Sequence, residues 1–538
     1  LLSRAWIPAL TLIALITLAR LIYLLWLSPY DLAEDEAFYW DWSRHLAWSY
    51  HTKGPGIAWA LWLATNILGD TVVAVRSVAL IASAIACAAV AGLTIDVVRA
   101  FGPSSPIDRE VPASRAALLA VALFQLAPVF QSIALLSTID GPYIACWALS
   151  CWAGIRALLG SSRSAWLWLG AALGLGFLFK YTILLVLPGL ILFAIVHRSR
   201  LRLAPNCKSH ALIGTFIFAL ALLPVIIWNA QHDWTTIKHL IGHLGMEGGD
   251  STTKPIKKPW SPMWPIELIV GQLGFAGPVL IIAFIAAWRT RAQRFGTIAR
   301  DYAARMYLFW LAAPLLLFYL GVTFIARAEM NWPIACHVTL IIFASVYLSE
   351  QLALPHPRVL GLTLPRHALN TCLIVGLLTG LLMLRLDLVR SALNAVNPAW
   401  AKLVPVGRVI GGKQLAGEVD KLRAQLRQQT SATPMVMCAA YGRASQVAFY
   451  LPDHPSVYCT SSRMGGRIVQ QDFWPDTNLD DPALLGRDAI IVGSGEPIEA
   501  WSPLFERVEP VGILPGEHRP GKVSFIARSF KGFPKPIR

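Results

Sequence analysis

The sequence predicts a polytopic α-helical membrane protein that ends in a small α/β domain, and three observations predict it. Apolar runs close to the ~20 residues needed to cross a bilayer recur through the first 390 residues. The chain is 56% hydrophobic and only 14% charged, about half the charged share of a soluble protein. From about residue 391 the composition changes to that of a soluble domain.

Eleven spans are expected, at residues 5–28, 72–98, 116–136, 139–159, 165–179, 181–197, 210–228, 265–288, 304–325, 332–352 and 367–390. Lys180 interrupts the pair 165–179 and 181–197, which reads either as two spans or as one long broken helix. The chain does not open with Met, so residues are expected to precede it. The first run exceeds a typical signal-peptide core and lacks a small-x-small cleavage site, so it is read as a span.

The net charge of +15 would suggest nucleic acid in a soluble protein. Its distribution points elsewhere. With loops numbered alternately, 1–5, 97–116, 156–165, 197–210, 289–306 and 350–367 hold 17 Lys and Arg. The opposite set, 29–55, 137–139, 180, 229–263 and 326–331, holds eight. The positive-inside rule puts the first set in the cytoplasm and everything after residue 390 outside. The basic runs at 197–202 and 289–291 are read as topology signals and lipid-headgroup contacts, so no nucleic-acid partner is expected.

Two exterior loops are long. In 29–70, Phe38, Trp42, His45 and Leu46 recur at helical spacing, and 57–63 continues in the same manner, so two short interfacial helices are expected around a Gly- and Pro-containing turn at 50–56. In 229–263, a stretch at 244–258 rich in Gly and Lys is expected to be mobile and lid-like. The terminal domain, 391–538, is expected to carry helices at 413–426 and 443–450 and strands at about 434–439, 456–459, 488–493, 505–513 and 523–529. Ile491-Val492-Gly493-Ser494-Gly495 is read as an ordinary strand-end turn. Cys438 and Cys459 fall in this domain, where a disulfide is permitted, and the remaining cysteines are read mostly as packing residues.

The chemistry concentrates at the exterior face. Acids beside a bilayer usually mark a substrate or ion path. Here they are Asp35 and Glu36, in Glu34-Asp35-Glu36-Ala37-Phe38-Tyr39-Trp40-Asp41-Trp42, and Asp140, in Thr138-Ile139-Asp140-Gly141-Pro142. Lys53 and Arg327 share that face. A carboxylate can take or orient an acceptor's proton, and a cation can offset charge on a departing phosphate.

Asp35-Glu36 after the first span, Tyr50-x-x-Lys53-x-Pro55, the Thr138-x-Asp140 turn and Asn331-Trp332-Pro333 together resemble the GT-C glycosyltransferases of the protein O-mannosyltransferase and lipid A aminoarabinose transferase type. The run Asp35-Glu36-Ala37-Phe38-Tyr39-Trp40-Asp41-Trp42-Ser43 is similar to that of the bacterial glycosyltransferase family 39 membrane proteins, and the likeness extends through Tyr441-Gly442-Arg443-Ala444-Ser445. The resemblance implies a GT-C membrane domain over 1–390 in the bacterial inner membrane, with its active site and the 391–538 domain on the periplasmic side. It implies a catalytic Asp35, with Glu36 as a possible sharer of the base role and Asp140 in the same cleft. It also implies Lys53 near the donor phosphate, joined by Arg327, and Tyr39, Tyr50 and Asn331 lining the substrate cleft. Thr52 and Gly54 depart from the family's turn. The implied partners are a polyprenyl-phosphate sugar donor, a lipid, glycan or protein-hydroxyl acceptor, and membrane lipids.

Some GT-C enzymes bind a divalent ion, and His239 and His243, at i,i+4, are the candidate ligands here if metal is used. Interface histidines without metal are the preferred reading. Two rivals to the enzyme remain. A transporter or flippase would place acids at mid-span, whereas Asp96 and Asp387 lie near span ends and are expected to pair with Arg99 and Arg390. A scaffold displaying 391–538 would leave the acidic first loop unexplained.

Overall fold

The structure is a computed structural model. It describes residues 4–101, 106–243, 259–292, 299–404, 406–430, 432–519 and 521–534. The stretch 244–258, expected to act as a lid, lies outside them.

In chain order the helices begin with α1 (Ile7–Ile22), α2 (Glu34–Arg44), α3 (Gly56–Leu68), α4 (Val72–Phe101), α5 (Pro106–Leu126), α6 (Pro128–Ile133) and α7 (Asp140–Leu158). They continue with α8 (Ser164–Phe179), α9 (Val186–Val196), α10 (Cys207–Gln231), α11 (Thr235–His243), α12 (Met263–Ala276), α13 (Val279–Ala292) and α14 (Ala299–Val322). After α15 (Cys336–Ala353), a short hairpin of β1 (Arg358–Val359) and β2 (Leu362–Thr363) leads into α16 (Leu364–Leu384), α17 (Leu386–Val396) and α18 (Pro398–Ala401). The C-terminal elements are α19 (Gly412–Thr430), β3 (Met435–Cys438), α20 (Tyr441–Tyr450), β4 (Tyr458–Cys459), β5 (Ala489–Ser494), α21 (Ile498–Trp501), β6 (Phe505–Gly512) and β7 (Val523–Phe530).

Packing divides the chain into two compact units. The first is Leu1–Leu27, Arg76–Trp228 and Lys258–Leu384; the second is Ser28–Val75, Asn229–Lys257 and Arg385–Arg538. The second unit therefore joins both long loops to the C-terminal segment, where the sequence suggested a simple boundary at residue 390.

The first unit is helical apart from the β1–β2 hairpin. Among the described residues six helices are long and apolar enough to cross a membrane, or up to seven if a bent pair counts as one span. Of the eleven expected spans, α5 and α7 fall outside that test on apolarity, and Ser164–Phe179 and Tyr181–Val196 on length. The run 265–288, expected as one span, is broken: Met263–Ala276 and Val279–Thr290 are bent by 106°. Gly277 has φ +74° there, a conformation open to glycine, and Pro278 follows it. The run 367–390 likewise ends at Leu384, because Arg385 leaves helical geometry at φ −139°, ψ 50°. Expected ion partners also change. Asp96 pairs with Arg156 at 3.0 Å, Arg99 with Glu110 at 2.5 Å, and Asp387 with Arg385 at 2.8 Å.

The second unit contains a five-stranded sheet of order β4-β3-β5-β7-β6. Strands β4, β3 and β5 are parallel, and β7 and β6 are antiparallel to their neighbours. The Met435, Met437, Ile491, Trp501, Phe505 and Phe525 side chains make a buried core on the sheet. Cys438 and Cys459 are register partners on adjacent strands, and both thiols are free. Helices α19 and α20 pack on one another, and α20 also packs against α2.

Candidate active site

In the second unit, α2 begins where Ala33 is extended (φ −63°, ψ 154°) and three acids fill the first turn, the end of a helix that favours negative charge. These acids have different fates. Glu36 is fully buried, and its Oε2 accepts the Ala33 backbone N–H at 2.8 Å, capping one of the donors a helix start leaves unmade. Asp35 is exposed, and its Oδ1 accepts a hydrogen bond from the Tyr441 hydroxyl at 3.1 Å.

Tyr441 is the first residue of α20, which follows the parallel strand β3. Its ring lies 4.4 Å from that of Phe38, and the Arg467 guanidinium sits over it at 5.0 Å. Burial, and then the negative charge of Asp35, push the Tyr441 phenol up to about 12, so it stays a proton donor at neutral pH.

The neighbouring residues form an ionic base. Arg443, 1% exposed, contacts Glu517 at 3.2 Å and Glu34 at 3.8 Å, and Arg519 reaches the same two acids at 3.2 and 3.5 Å. Burial pushes the Glu517 carboxyl up, but Arg443 and Arg519 outweigh it and hold the group below its ordinary value. Gly442 lets α20 approach α2: a Cβ there would lie 2.5 Å from the Glu34 Cβ. One turn on, Ser445 donates to Asp41 at 3.0 Å, and burial raises the Asp41 carboxyl despite nearby Arg44.

The turn carrying Lys53 is also built into this unit. Lys53 is half-buried, and its carbonyl accepts from the Tyr50 N–H at 3.1 Å and the Ser49 hydroxyl at 3.2 Å. His51 N–H donates to Gln470 at 2.7 Å, and the Tyr50 carbonyl accepts from Thr236 at 3.2 Å. Tyr50 is fully buried, stacked 4.3 Å from Trp42, with its hydroxyl 3.0 Å from the carbonyls of Trp42 and His45. Tyr39 is buried too, edge-on to Trp42 at 5.2 Å. Both tyrosines pack in the aromatic cluster around Trp42.

In the first unit, Asp140 opens α7, and its N–H is 3.3 Å from the Thr138 hydroxyl. The Lys180 ammonium donates to its Oδ1 at 2.8 Å, and both side chains are nearly buried, 11% and 13% exposed. Lys180 reaches Asp140 because α8 stops at Phe179 and Lys180 is extended (φ −152°, ψ 122°) before a 3-10 turn resumes. Lys180 also lies 5.2 Å over the Tyr143 ring, whose hydroxyl accepts from Thr182 at 3.2 Å. Tyr319 is an electrostatic neighbour of Tyr143 and Asp140 and packs 5.4 Å from Trp332. Asn331 is exposed. Arg327 is 65% exposed and bonded to Glu267 at 3.0 Å.

Sequence reasoning left Lys180 and Tyr441 without a role. Lys180 had a signal, as the sole charge between residues 164 and 196. Tyr441 stood in the stretch through which the family likeness extends, but neither it nor Arg467 carried a local sign of its partner, since each meets the Asp35 region only through folding.

The acids do not fit a divalent metal. Among the described residues no group of three or more His, Cys, Asp or Glu converges. Asp140 is held by an ammonium and Asp35 by a phenol, both hydrogen-bond donors to the oxygens a cation would need. The His239 ring lies 5.1 Å from that of His51; the His243 side chain lies outside the described residues.

Residues 106–228, which contain both Asp140 and Lys180, match the family described as dolichyl-phosphate-mannose-protein mannosyltransferase. The chain is 30% identical over 320 residues to the lipid A galacturonosyltransferase RgtD of Rhizobium johnstonii, a match covering 58% of this chain and 60% of that protein. It therefore spans less than two thirds of that relative's length. Two crystal structures of ArnT from Cupriavidus metallidurans share the fold. The apo structure superposes with a TM-score of 0.58 at 14% identity over 97% of each chain. The structure bound to undecaprenyl phosphate gives 0.59 at 15% identity over 98% of each. Sequence and fold agree in direction: the chain is similar in sequence to a lipid A galacturonosyltransferase and has the fold of ArnT.

Proposed function

We propose that this protein transfers a sugar from a polyprenyl-phosphate carrier to an acceptor hydroxyl at the exterior face of the cytoplasmic membrane. Asp35 accepts or orients the acceptor's proton as the glycosidic bond forms and the polyprenyl phosphate leaves. Lys53 offsets the charge that builds on the departing phosphate, with Arg327 as a further cation for the donor. Asp140 positions substrate and holds Lys180. The observation that carries this reading is the exposed Asp35 carboxylate in a helical turn whose buried acid, Glu36, caps the Ala33 N–H. The excess of Lys and Arg in the alternate loops supports the exterior side.

The names of the relatives suggest the substrates. RgtD is a lipid A galacturonosyltransferase, and one ArnT structure holds undecaprenyl phosphate. Undecaprenyl-phosphate-linked galacturonate and lipid A are therefore the pair to test. Purified protein in lipid nanodiscs, given both, is expected to add one hexuronate to lipid A by mass spectrometry. Unchanged lipid A, together with unchanged lipid A in a deletion strain, would move the search to other acceptors.

A further inference from the structure

We propose that Tyr441, supplied by the C-terminal α/β segment, is the positioning residue for Asp35. The inference rests on the catalytic reading of Asp35 above and goes beyond it, because it gives the C-terminal segment a part in the reaction. The Tyr441 hydroxyl donates to Asp35 Oδ1 at 3.1 Å across 406 residues of sequence. A carboxylate with one oxygen fixed loses rotational freedom and presents the other in a defined direction, which general-base chemistry needs.

Three features make the tyrosine a fixed donor. Phe38, on the same helix as Asp35, packs against its ring at 4.4 Å, so α2 holds both members of the pair. The Arg467 guanidinium covers the ring at 5.0 Å. Gly442 and the buried Arg443, the next two residues of α20, lock that helix against Glu34. Burial and the nearby Asp35 charge push the Tyr441 phenol up to about 12, so its proton stays in place at neutral pH. Tyr441 also opens the helix at the carboxyl end of the parallel strand β3, the edge where open α/β sheets usually place functional groups.

The test uses the full chain in nanodiscs, with undecaprenyl-phosphate galacturonate and lipid A. It compares Tyr441→Phe, Asp35→Asn and the double variant. Tyr441→Phe keeps the ring packing and removes only the hydroxyl. It is expected to lower kcat by about ten- to hundredfold, the worth of a hydrogen bond to a charged group, with an unchanged donor KM and wild-type Tm. In the Asp35→Asn background the same substitution is expected to add little further loss, since Tyr441 acts through Asp35. A wild-type kcat for Tyr441→Phe beside a severely impaired Asp35→Asn would overturn the inference and leave the catalytic reading standing. Equal fold-losses in both backgrounds would make Tyr441 a structural tether and overturn it too. Full transfer by Asp35→Asn would sink the catalytic reading and this inference with it.

Discussion

Lys180 donates to Asp140 across 2.8 Å from the break between two short apolar helices. Each residue accounts for the other. An acid this buried needs a partner, and a lysine ends an apolar helix where such an acid can receive it.

Removing one member of the pair leaves the other buried and unmatched, at a cost of about 3–5 kcal/mol. Lys180→Met and Asp140→Asn are each expected to lower Tm in detergent. The double variant is expected to regain much of that Tm without regaining transfer. A double variant less stable than either single one would show that the two charges are not a unit.

Glu36 and Asp35 are adjacent in sequence and are expected to behave differently. Glu36→Gln keeps the cap on Ala33 and is expected to transfer close to the wild-type rate, whereas Glu36→Ala loses about 1 kcal/mol of stability. A folded but inactive Glu36→Gln would return the base role to Glu36.

Gly442→Ala sets two effects against each other. Alanine favours a helix over glycine by about 1 kcal/mol. The added Cβ would lie 2.5 Å from the Glu34 Cβ, and overpacking of that kind costs about 1–3 kcal/mol. The clash is expected to win, lowering Tm and transfer together. An unchanged Tm would mean that α2 moves freely away from α20.

The first loop's helices were legible because their signals are local. Helical spacing of Phe38, Trp42 and His45, then Gly54-Pro55-Gly56, mark α2, a turn and α3. The buried strands β3 and β5 and the half-buried β6 and β7 fall where apolar or alternating runs stand between Gly, Pro and Asp. The bend at Gly277-Pro278 was missed because apolarity continues across it, although the dipeptide itself is a breaker signal. The burial of Tyr50 and Tyr39 is not legible locally, because aromatic side chains near acids suit a substrate and a core equally well. The Tyr441–Asp35 and Lys180–Asp140 bonds were out of reach, since nothing local encodes which distant donor an exposed or buried acid will find.

His45 and Asp476 form a pH-dependent pair, Nε2 to Oδ2 at 3.1 Å. The hydrogen bond from His45 holds the Asp476 carboxyl down at about 2. Burial opposes protonation of His45, but its bonds to Asp476 and to the Asp41 carbonyl outweigh it and raise its pKa. The His45 contribution is therefore full below its unfolded value of about 6.5 and is lost as pH rises through the higher folded value. The Asp476 contribution is full above about 4 and is lost as pH falls through about 2. Asp476 is 43% exposed, so the effect is less than about 1 kcal/mol. Between pH 6 and 9, wild-type Tm is expected to fall relative to His45→Gln. Parallel curves would contradict the pairing.

The catalytic assignment of Asp35 is tested most directly by the transfer rate of purified Asp35→Asn. Asn keeps the size and the acceptor oxygen for Tyr441 but cannot take a proton, and loss of a general base lowers rates by about 10²–10⁴. Normal membrane expression, binding of the proposed polyprenyl-phosphate donor equal to wild type and transfer reduced at least about a hundredfold are expected. Asp35→Asn protein that transfers at a near wild-type rate would contradict the assignment and place the reaction's base elsewhere in the chain.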